Sequence, residues 1–225
     1  MIYNISLQEY PGEVCLIFYQ GTCNLKCGFC FNKLDGKELT FNYVVESIKE
    51  CREFITSVCL TGGEPFMIKD FSKICKYIND SGLKLKVNTN GCYDYNDIEK
   101  NNLSFKIDYL NIGIKEESSY DKIKNLLMWA KGRVDFTIVY HKWLNINTDL
   151  LIKNYYDFIG EKIYPDNIIF TQLKVGECND DLINNYVPPN EEELVDIANV
   201  FISLCNDNVI VETREYGKKI LGVDC

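Results

Sequence analysis

Three cysteines, Cys23, Cys27 and Cys30, lie close together in the chain, with three residues between the first two and two between the last two. A tetrahedral structural zinc site takes four ligands, commonly as two close pairs. Here the next cysteine is Cys51, and the single histidine of the chain is His141. Three thiolates on one short loop can instead bind three irons of a [4Fe–4S] cluster and leave the fourth iron open. The motif therefore predicts an iron–sulfur site with an open position, an arrangement suited to radical chemistry.

A second motif, Gly62-Gly63-Glu64-Pro65, follows the cysteines, and an aromatic residue, Phe29, precedes the last of them. Together these features resemble the radical S-adenosylmethionine (SAM) superfamily. The resemblance implies a [4Fe–4S] cluster held by Cys23, Cys27 and Cys30, with SAM bound to the open iron. In that superfamily one electron from the cluster cleaves SAM to methionine and a 5′-deoxyadenosyl radical. The alternative, that the cysteines are merely buried in the core, does not explain the second motif.

The composition favours one domain spanning residues 1–225, long enough for a substantial core. The chain is 46% hydrophobic and 25% charged, which is typical of a globular protein. We expect no membrane span and no signal peptide, because no apolar run is long enough and the first residues lack the signal pattern. Eleven cysteines at irregular spacing argue against a secreted disulfide framework and favour a reducing, cytoplasmic setting. An oxygen-sensitive cluster would further imply anaerobic conditions.

The formal net charge of −9 argues against extensive nucleic-acid contact, which depends on Lys and Arg side chains neutralising phosphates. The nearest approach to a basic patch consists of four lysines, which we expect to be solvated: Lys84, Lys86, Lys122 and Lys124.

Short apolar runs alternate with amphipathic stretches, a pattern that predicts a parallel β/α fold. Six strands are predicted, at residues 14–19, 58–60, 83–88, 109–114, 134–140 and 168–173, with a short further strand at 209–211. Helices are predicted at about 40–55, 71–78, 94–101, 118–130, 149–159 and 190–205. Six units are too few for a closed eight-stranded barrel. The resemblance implies the open partial (β/α)6 TIM-type barrel of small radical SAM enzymes, with a parallel sheet.

Ligands of parallel α/β folds gather at the carboxyl ends of the strands. The candidate residues all follow a predicted strand end: the cysteine loop at 20–33, Gly62 to Pro65, Asn88 to Gly91, Lys115, His141 and Gln172. The strands were assigned from apolar runs rather than from these motifs. The shared edge is therefore independent support for a SAM site there.

The resemblance assigns the turn after the second strand to the amino group of SAM. Gly62 and Gly63 have no side chain to obstruct a ligand. Glu64, held beside the rigid Pro65, can accept a charge-assisted hydrogen bond from an ammonium group. Phe29 can pack against the adenine, or it can simply plug the loop as a hydrophobic residue.

The other candidates for cofactor contact each have an ordinary structural alternative. Asn88, Thr89 and Asn90 can hydrogen-bond the ribose or methionine parts of SAM, or form an Asn-rich turn. Lys115 can pair with a carboxylate, although lysines are mostly exposed. His141 can line the site or be a structural histidine. Gln172, at the end of the sixth predicted strand, completes the set.

Eight cysteines lie outside the motif. We predict that five of them are core residues: Cys15, Cys51, Cys59, Cys75 and Cys205. The other three lie in predicted loops or at the terminus and are open to a role as ligand or hydrogen donor: Cys92, Cys178 and Cys225. No C-x-x-C pair occurs among them, so we predict no second cluster.

Several further segments resemble the activating proteins of anaerobic ribonucleotide reductase: Ser6 to Gly12, Gln20-Gly21, Thr61 to Pro65, Thr89 to Gly91 and Thr171 to Leu173. This resemblance implies a protein partner, a glycyl-radical enzyme, from which a hydrogen atom of a glycine is abstracted. It also implies an electron donor such as flavodoxin or ferredoxin.

Three departures from that branch leave the substrate open. Thr22 is an extra residue before the first cysteine, and Phe31 follows the last one. Asn88 and Gly113 stand where relatives carry two aspartates that help to hold a cation. Losing both carboxylates should remove a hard-cation site. Two alternatives therefore remain, direct modification of a peptide or small molecule, and a non-enzymatic iron–sulfur electron carrier, which leaves Gly62 to Pro65 unexplained.

Overall fold

The structure is a computed structural model that describes residues 3–27, 30, 32, 35–93, 105–114, 118–140, 165–172, 190, 192–193, 195–196, 199, 209–213 and 218–222. These residues contain one nine-stranded sheet whose strands neighbour each other in chain order. The strands are β1 Tyr3–Ser6, β2 Cys15–Gln20, β3 Ser57–Gly62, β4 Lys84–Thr89, β5 Tyr109–Ile114, β6 Arg133–Tyr140, β7 Asn167–Gln172, β8 Val209–Thr213 and β9 Lys218–Gly222.

Strands β2 to β8 are all parallel, whereas β1 and β9 add to the two ends as antiparallel strands. The parallel α/β prediction is confirmed, and each predicted strand overlaps an observed one. The short run at 209–211 is confirmed as part of β8. The two antiparallel strands were not predicted, since each is short and carries polar residues without a clear alternation. The described sheet is open, with β1 and β9 as its edges.

Three helices flank the strands in the described residues: α1 Phe41–Cys51, α2 Phe71–Asp80 and α3 Tyr120–Trp129. Thr40 caps α1, because its Oγ1 accepts a hydrogen bond from the Tyr43 amide at 3.4 Å. The described residues 192–193, 195–196 and 199 are also helical, within the helix predicted at about 190–205. Asn190 caps this segment: Asn190 Oδ1 accepts from Glu193 N at 2.8 Å, and Glu193 Oε2 accepts from Asn190 N at 3.0 Å. This reciprocal pair is a capping box. The helices predicted at 94–101 and 149–159 lie outside the described residues.

The hydrophobic core lies between the helices and one face of the sheet. Alternate strand residues point to this face, which follows from the two-residue period of a strand. Its fully buried side chains include Leu16, Phe18, Leu60, Leu85, Leu110, Ile112, Ile48, Ile74, Ile78 and Leu126. Four of the cysteines predicted to be core residues are buried: Cys15, Cys51, Cys59 and Cys75. Cys205 lies outside the described residues.

The opposite face of the sheet carries a small apolar cluster, Cys15, Ile17 and Cys59, and a buried lysine beside it. Lys86 is 6% exposed, so the prediction that it is solvated is wrong. Its Nζ lies 3.0 Å from Glu9 Oε1 and donates to the Glu9 carbonyl oxygen at 2.6 Å. The same ammonium lies 4.5 Å from the centre of the Tyr109 ring. The segment before β2 therefore covers this face, and the ion pair compensates the lysine for its loss of water.

A second polar cluster adjoins the lysine on the same face. The Tyr109 hydroxyl donates to Asp135 Oδ2 at 2.6 Å, and Arg133 Nη2 donates to the same oxygen at 2.6 Å. Asn167 Nδ2 donates to the other carboxylate oxygen at 2.8 Å. Burial, followed by the Asp135 charge, raises the pKa of Tyr109 well above its ordinary value. The fully buried Asp135 carboxylate is thus fully hydrogen-bonded, as a buried charge requires.

The Lys86–Glu9 pair gives a testable consequence for stability. Lys86→Met should lower the free energy of unfolding by about 2–3 kcal/mol, below the usual cost of breaking a buried pair because Glu9 retains contact with water. Urea unfolding followed by circular dichroism measures the difference. Lys76→Met is the matched control, because the Lys76–Asp80 pair is exposed on α2 and should contribute less than about 0.5 kcal/mol. Equal losses in the two variants would contradict a structural role for the buried pair.

Candidate functional site

Three segments meet at the carboxyl ends of neighbouring strands. The cysteine loop follows β2, the turn Gly62 to Pro65 ends β3, and the turn Thr89 to Gly91 ends β4. Because β2, β3 and β4 are parallel and adjacent, these segments lie side by side on one edge of the sheet. This is the edge where parallel α/β folds bind ligands.

The cysteine loop presents three half-buried thiols, Cys23, Cys27 and Cys30. The Cys30 amide donates to the Cys27 carbonyl oxygen at 3.1 Å, which makes a tight turn between the last two cysteines. Cys23 Sγ accepts hydrogen bonds from Leu25 N at 3.4 Å and from Asn90 Nδ2 at 3.6 Å. Burial raises the pKa of the Cys23 thiol, and the two hydrogen bonds act in the opposite direction.

The donor chemistry of the loop fits an iron–sulfur cluster. It offers three thiols on one short segment, with amide donors directed at one sulfur, as cluster-binding loops require. In the part of the chain that the structure describes, no three Cys, His, Asp or Glu side chains are gathered into one metal-binding group.

The two glycines of the β3 turn press against the start of the cysteine loop. Gly62 has a φ of +101°, and a Cβ there would lie 2.6 Å from the Gln20 amide nitrogen. A Cβ on Gly63 would overlap the carbonyl oxygen of Thr22. The Gly63 amide donates to the Gln20 carbonyl oxygen at 2.6 Å, and the Glu64 amide donates to that of Thr22 at 2.8 Å. Close approach of backbone to backbone thus requires glycine at both positions.

Glu64 is fully buried and links the β3 turn to the β4 turn. Its Oε1 accepts from Phe66 N at 3.2 Å and from Thr89 Oγ1 at 2.8 Å. Its Oε2 accepts from the Asn90 amide at 2.8 Å. Pro65, also buried, begins the short 3₁₀ turn Pro65–Met67. The carboxylate therefore has a structural role in addition to the SAM contact that the sequence predicts.

Asn32 joins the site without having been among its predicted members, and Asn90, a predicted candidate for SAM contact, makes hydrogen bonds that the sequence did not indicate. Asn32 Nδ2 donates to the Gly62 carbonyl oxygen at 2.7 Å, which ties the end of the cysteine loop to the β3 turn. Asn90 Nδ2 donates to Asn24 Oδ1 at 2.8 Å in addition to the Cys23 sulfur. The available signal was a polar side chain within or beside a motif: Asn32 lies two residues after Cys30, and Asn90 follows Thr89.

Asn88 occupies a place that suits an amide better than a carboxylate. Its Nδ2 donates to Glu9 Oε1 at 2.7 Å and to Thr61 Oγ1 at 3.3 Å. An aspartate here would bring a second negative charge against Glu9, which is unfavourable. Asn88 Oδ1 is buried, and no hydrogen-bond partner for it is found among the described residues. Gly113, the other departure from the aspartate pattern, lies in β5 opposite Thr137 of β6.

The remaining predicted contacts are only partly placed. Gln172 is the last residue of β7, so its backbone lies at the same edge of the sheet as the other candidates. Phe29, Lys115 and His141 lie outside the described residues. Cys92, open to a role as ligand, is 8% exposed, and its Sγ donates to the Asn90 carbonyl oxygen at 3.5 Å. Cys178 and Cys225 are likewise outside the described residues.

Two features define the class of this protein: a parallel α/β fold, and a cysteine loop that follows β2, the first of the parallel strands. The sequence model of the Radical SAM superfamily matches residues 17–140, more than half of the chain. The chain therefore belongs to the radical SAM superfamily. Enzymes of this superfamily use a [4Fe–4S] cluster and SAM, so both are cofactors of this protein.

Two sequence relatives differ in what they do. A protein of Methanocaldococcus jannaschii, provisionally assigned as a glycyl-radical enzyme activating enzyme, is 30% identical over 57% of this chain and 47% of its own length. An S-adenosylmethionine-dependent nucleotide dehydratase of Selenomonas ruminantium is 28% identical over 49% of this chain and 48% of its own length. The matched region thus spans about half the length of either relative.

The fold is shared with solved structures. Streptococcus suis SuiB, bound to its precursor peptide SuiA, superposes with a TM-score of 0.63 at 17% identity, over 88% of this chain and 48% of SuiB. The expected partial TIM-type barrel is confirmed by this likeness. No helix in the described ranges combines the length and the apolar character that crossing a membrane would need.

Proposed function

We propose that this radical SAM enzyme activates a glycyl-radical enzyme by abstracting a hydrogen atom from a backbone glycine of that partner. Cys23, Cys27 and Cys30 hold the cluster, and the turns Gly62 to Pro65 and Asn88 to Thr89 hold SAM. The main support for this site is the hydrogen bonding among the three segments, from Asn32 to Gly62 and from Thr89 and Asn90 to Glu64. These bonds hold the cysteine motif and the Gly62 to Pro65 motif together at one edge of the sheet.

When bound, the cluster and SAM supply a carbon-centred radical that can take a hydrogen atom from a C–H bond. The residues of this chain orient the two cofactors and shield them. Glu64 fixes the relative position of two turns, and Asn32 fixes the cysteine loop against the first of them. Phe29 covers the adenine, while Lys115, His141 and Gln172 complete the SAM contacts from the neighbouring strand ends.

A protein substrate is supported by two comparisons. The relative from Methanocaldococcus jannaschii carries an assignment to glycyl-radical activation, and SuiB, which has this fold, was crystallised with a precursor peptide. The described sheet is open, so that a loop of a second protein can approach its carboxyl edge. Hydrogen abstraction requires the reacting carbon within a few ångströms of the radical. An electron donor such as flavodoxin or ferredoxin reduces the cluster.

Incubation of the reduced protein with SAM and a candidate glycyl-radical enzyme tests this function. The expected products are methionine and 5′-deoxyadenosine, together with the doublet of a glycyl radical in the paramagnetic resonance spectrum of the partner. A partner variant whose radical-bearing glycine is replaced by alanine is the control and should give no doublet. Formation of 5′-deoxyadenosine without a doublet, across the glycyl-radical enzymes of the source organism, would reject activation.

A second function, direct modification of a peptide or small molecule, is favoured by one observation. Asn88 is bonded to Glu9 where the activating branch carries an aspartate, and one relative is a nucleotide dehydratase. This reading predicts SAM cleavage with a mass change on a peptide or metabolite and no glycyl radical. An electron carrier, the third reading, would cycle between redox states without forming 5′-deoxyadenosine.

A further inference from the structure

The side-chain amide of Asn90 is directed at the sulfur of a cysteine in the motif. Asn90 is 8% exposed, and its Nδ2 lies 3.6 Å from Cys23 Sγ. The second amide proton is directed to Asn24 Oδ1, at 2.8 Å. A donor within this distance of a cysteine sulfur is a feature that tunes iron–sulfur sites.

The orientation of that amide is fixed by its other partners. Asn90 Oδ1 accepts from the Cys92 amide at 2.8 Å. Turning the amide over would place its NH₂ group against this N–H donor and its oxygen against the sulfur. The hydrogen-bond network therefore assigns the donor to the Cys23 side.

The backbone of Asn90 is held as firmly as its side chain. Its amide donates to the buried Glu64 carboxylate at 2.8 Å, and Glu64 Oε1 accepts from the Thr89 hydroxyl at 2.8 Å. A continuous chain of hydrogen bonds thus runs from the β3 turn through Asn90 to the cysteine loop. The backbone bond to Glu64 and the bond from the Cys92 amide to Asn90 Oδ1 together hold the donor beside the sulfur.

We propose that Asn90 is a positioning residue that raises the reduction potential of the cluster by donating a hydrogen bond to the Cys23 sulfur. The proposal rests on the cluster ligation proposed above for Cys23. The reduced cluster carries one more negative charge than the oxidised cluster, and part of this charge resides on the thiolate sulfurs. An N–H donor stabilises that charge, so it favours the form that has gained one electron from the external donor.

Two variants test the proposal by a redox titration that is followed through the paramagnetic signal of the reduced cluster. Asn90→Ala removes the donor. Asn90→Asp keeps the shape and the acceptor for Cys92 but places a carboxylate oxygen near the sulfur. Both midpoint potentials should shift to more negative values, and that of Asn90→Asp should shift further. At a fixed potential the ratio of reduced to oxidised cluster should fall several-fold, where a tenfold fall equals about 59 mV for a one-electron couple.

Asn79→Ala is the matched control. Asn79 lies near the end of α2, and this end faces the opposite edge of the sheet. Its side chain also makes two hydrogen bonds, to the Lys106 carbonyl oxygen at 3.1 Å and from the Lys106 amide at 2.6 Å. The control loses a comparable set of contacts away from the cysteine loop, so its potential should equal that of the unmodified protein.

Two results would overturn the role of Asn90. One is an unchanged potential in both Asn90 variants at full iron content. The other is failure of both to assemble any cluster, which would make Asn90 a residue needed for folding or assembly instead. Neither result bears on ligation by Cys23, which is tested separately by the iron content of Cys23→Ala. Retention of a full cluster in that variant would instead remove the basis of the proposed site.

Discussion

Alanine at Cys23, Cys27 or Cys30 is expected to remove the iron–sulfur cluster and to abolish cleavage of SAM. In the proposed site each thiolate binds one iron, and no other cysteine of the sequence lies in the short loop after β2. Replacing all three should eliminate the brown colour and the low-temperature signal of the reduced protein. Iron and sulfide analysis measures the loss, and formation of 5′-deoxyadenosine measures its functional consequence.

Cys75→Ala is the control for this loss. Cys75 is fully buried on α2, and burial raises the pKa of its thiol well above the ordinary value. It packs in the core as a small hydrophobic residue, so the substitution should lower the free energy of unfolding by about 1 kcal/mol and leave the iron content intact. A triple variant at the motif with unchanged iron would contradict the assignment of the ligands.

The parallel strands could be predicted because each is an apolar run bounded by turn residues. Strands covered on both faces contain little of the polar alternation that would otherwise mark them. Lys86 shows the limit of this reasoning. A lysine between two apolar residues indicates a solvated position, yet here a carboxylate from a distant segment, Glu9, lies beside it. The sequence pattern shows the two-residue period of a strand, but it does not show which distant segment packs against each face of that strand.

Part of the candidate site could be predicted from the sequence and part could not. The cysteines and the Gly62 to Pro65 turn were predictable because spacing and residue type alone indicate their chemistry. Asn32 and Asn90 act through partners that lie 30 and 67 residues away in the chain. Their roles depend on which strands are neighbours and on which side chains then come within hydrogen-bonding distance. Those facts follow from the folded sheet and from no local motif.

The contact between Asn88 and Glu9 gives a physical reason for one departure from the activating branch. Glu9 Oε1 accepts from Asn88 Nδ2 at 2.7 Å and lies 3.0 Å from Lys86 Nζ. The positive charge of Lys86 is thus paired with the negative charge of Glu9. The neutral Asn88 amide adds a hydrogen-bond donor to Glu9 and leaves the net charge of the cluster unchanged. A second carboxylate at this position would lack a cation of its own among the described neighbours. The residue at position 88 is therefore coupled to the residue at position 9.

Glu64→Gln is expected to destabilise the protein before any cofactor binds. The buried carboxylate accepts hydrogen bonds from Phe66 N, Thr89 Oγ1 and Asn90 N. Glutamine has the same shape but replaces one acceptor oxygen with an NH₂ group, which would face a donor whichever way the amide turns. Hydrogen bonds to a charged group contribute about 1.5–3 kcal/mol each, and a buried unpaired donor adds its own cost. The free energy of unfolding of the apoprotein, measured in urea, should fall by about 2–4 kcal/mol.

Glu46→Gln separates this effect from the mere loss of a negative charge. Glu46 lies on α1 and pairs with Lys49 at 3.1 Å, with both side chains more than half exposed. An exposed pair of this kind contributes little, so the control should change stability by less than about 0.5 kcal/mol.

The Glu64 variant should also bind SAM about ten- to a hundred-fold more weakly, which is the cost of one charge-assisted hydrogen bond. If stability were unchanged and SAM binding were weaker, the Glu64 carboxylate would act mainly by binding SAM and not by holding the β4 turn. Lower stability together with unchanged SAM affinity would assign the Glu64 carboxylate to the turn, where it accepts from Phe66, Thr89 and Asn90.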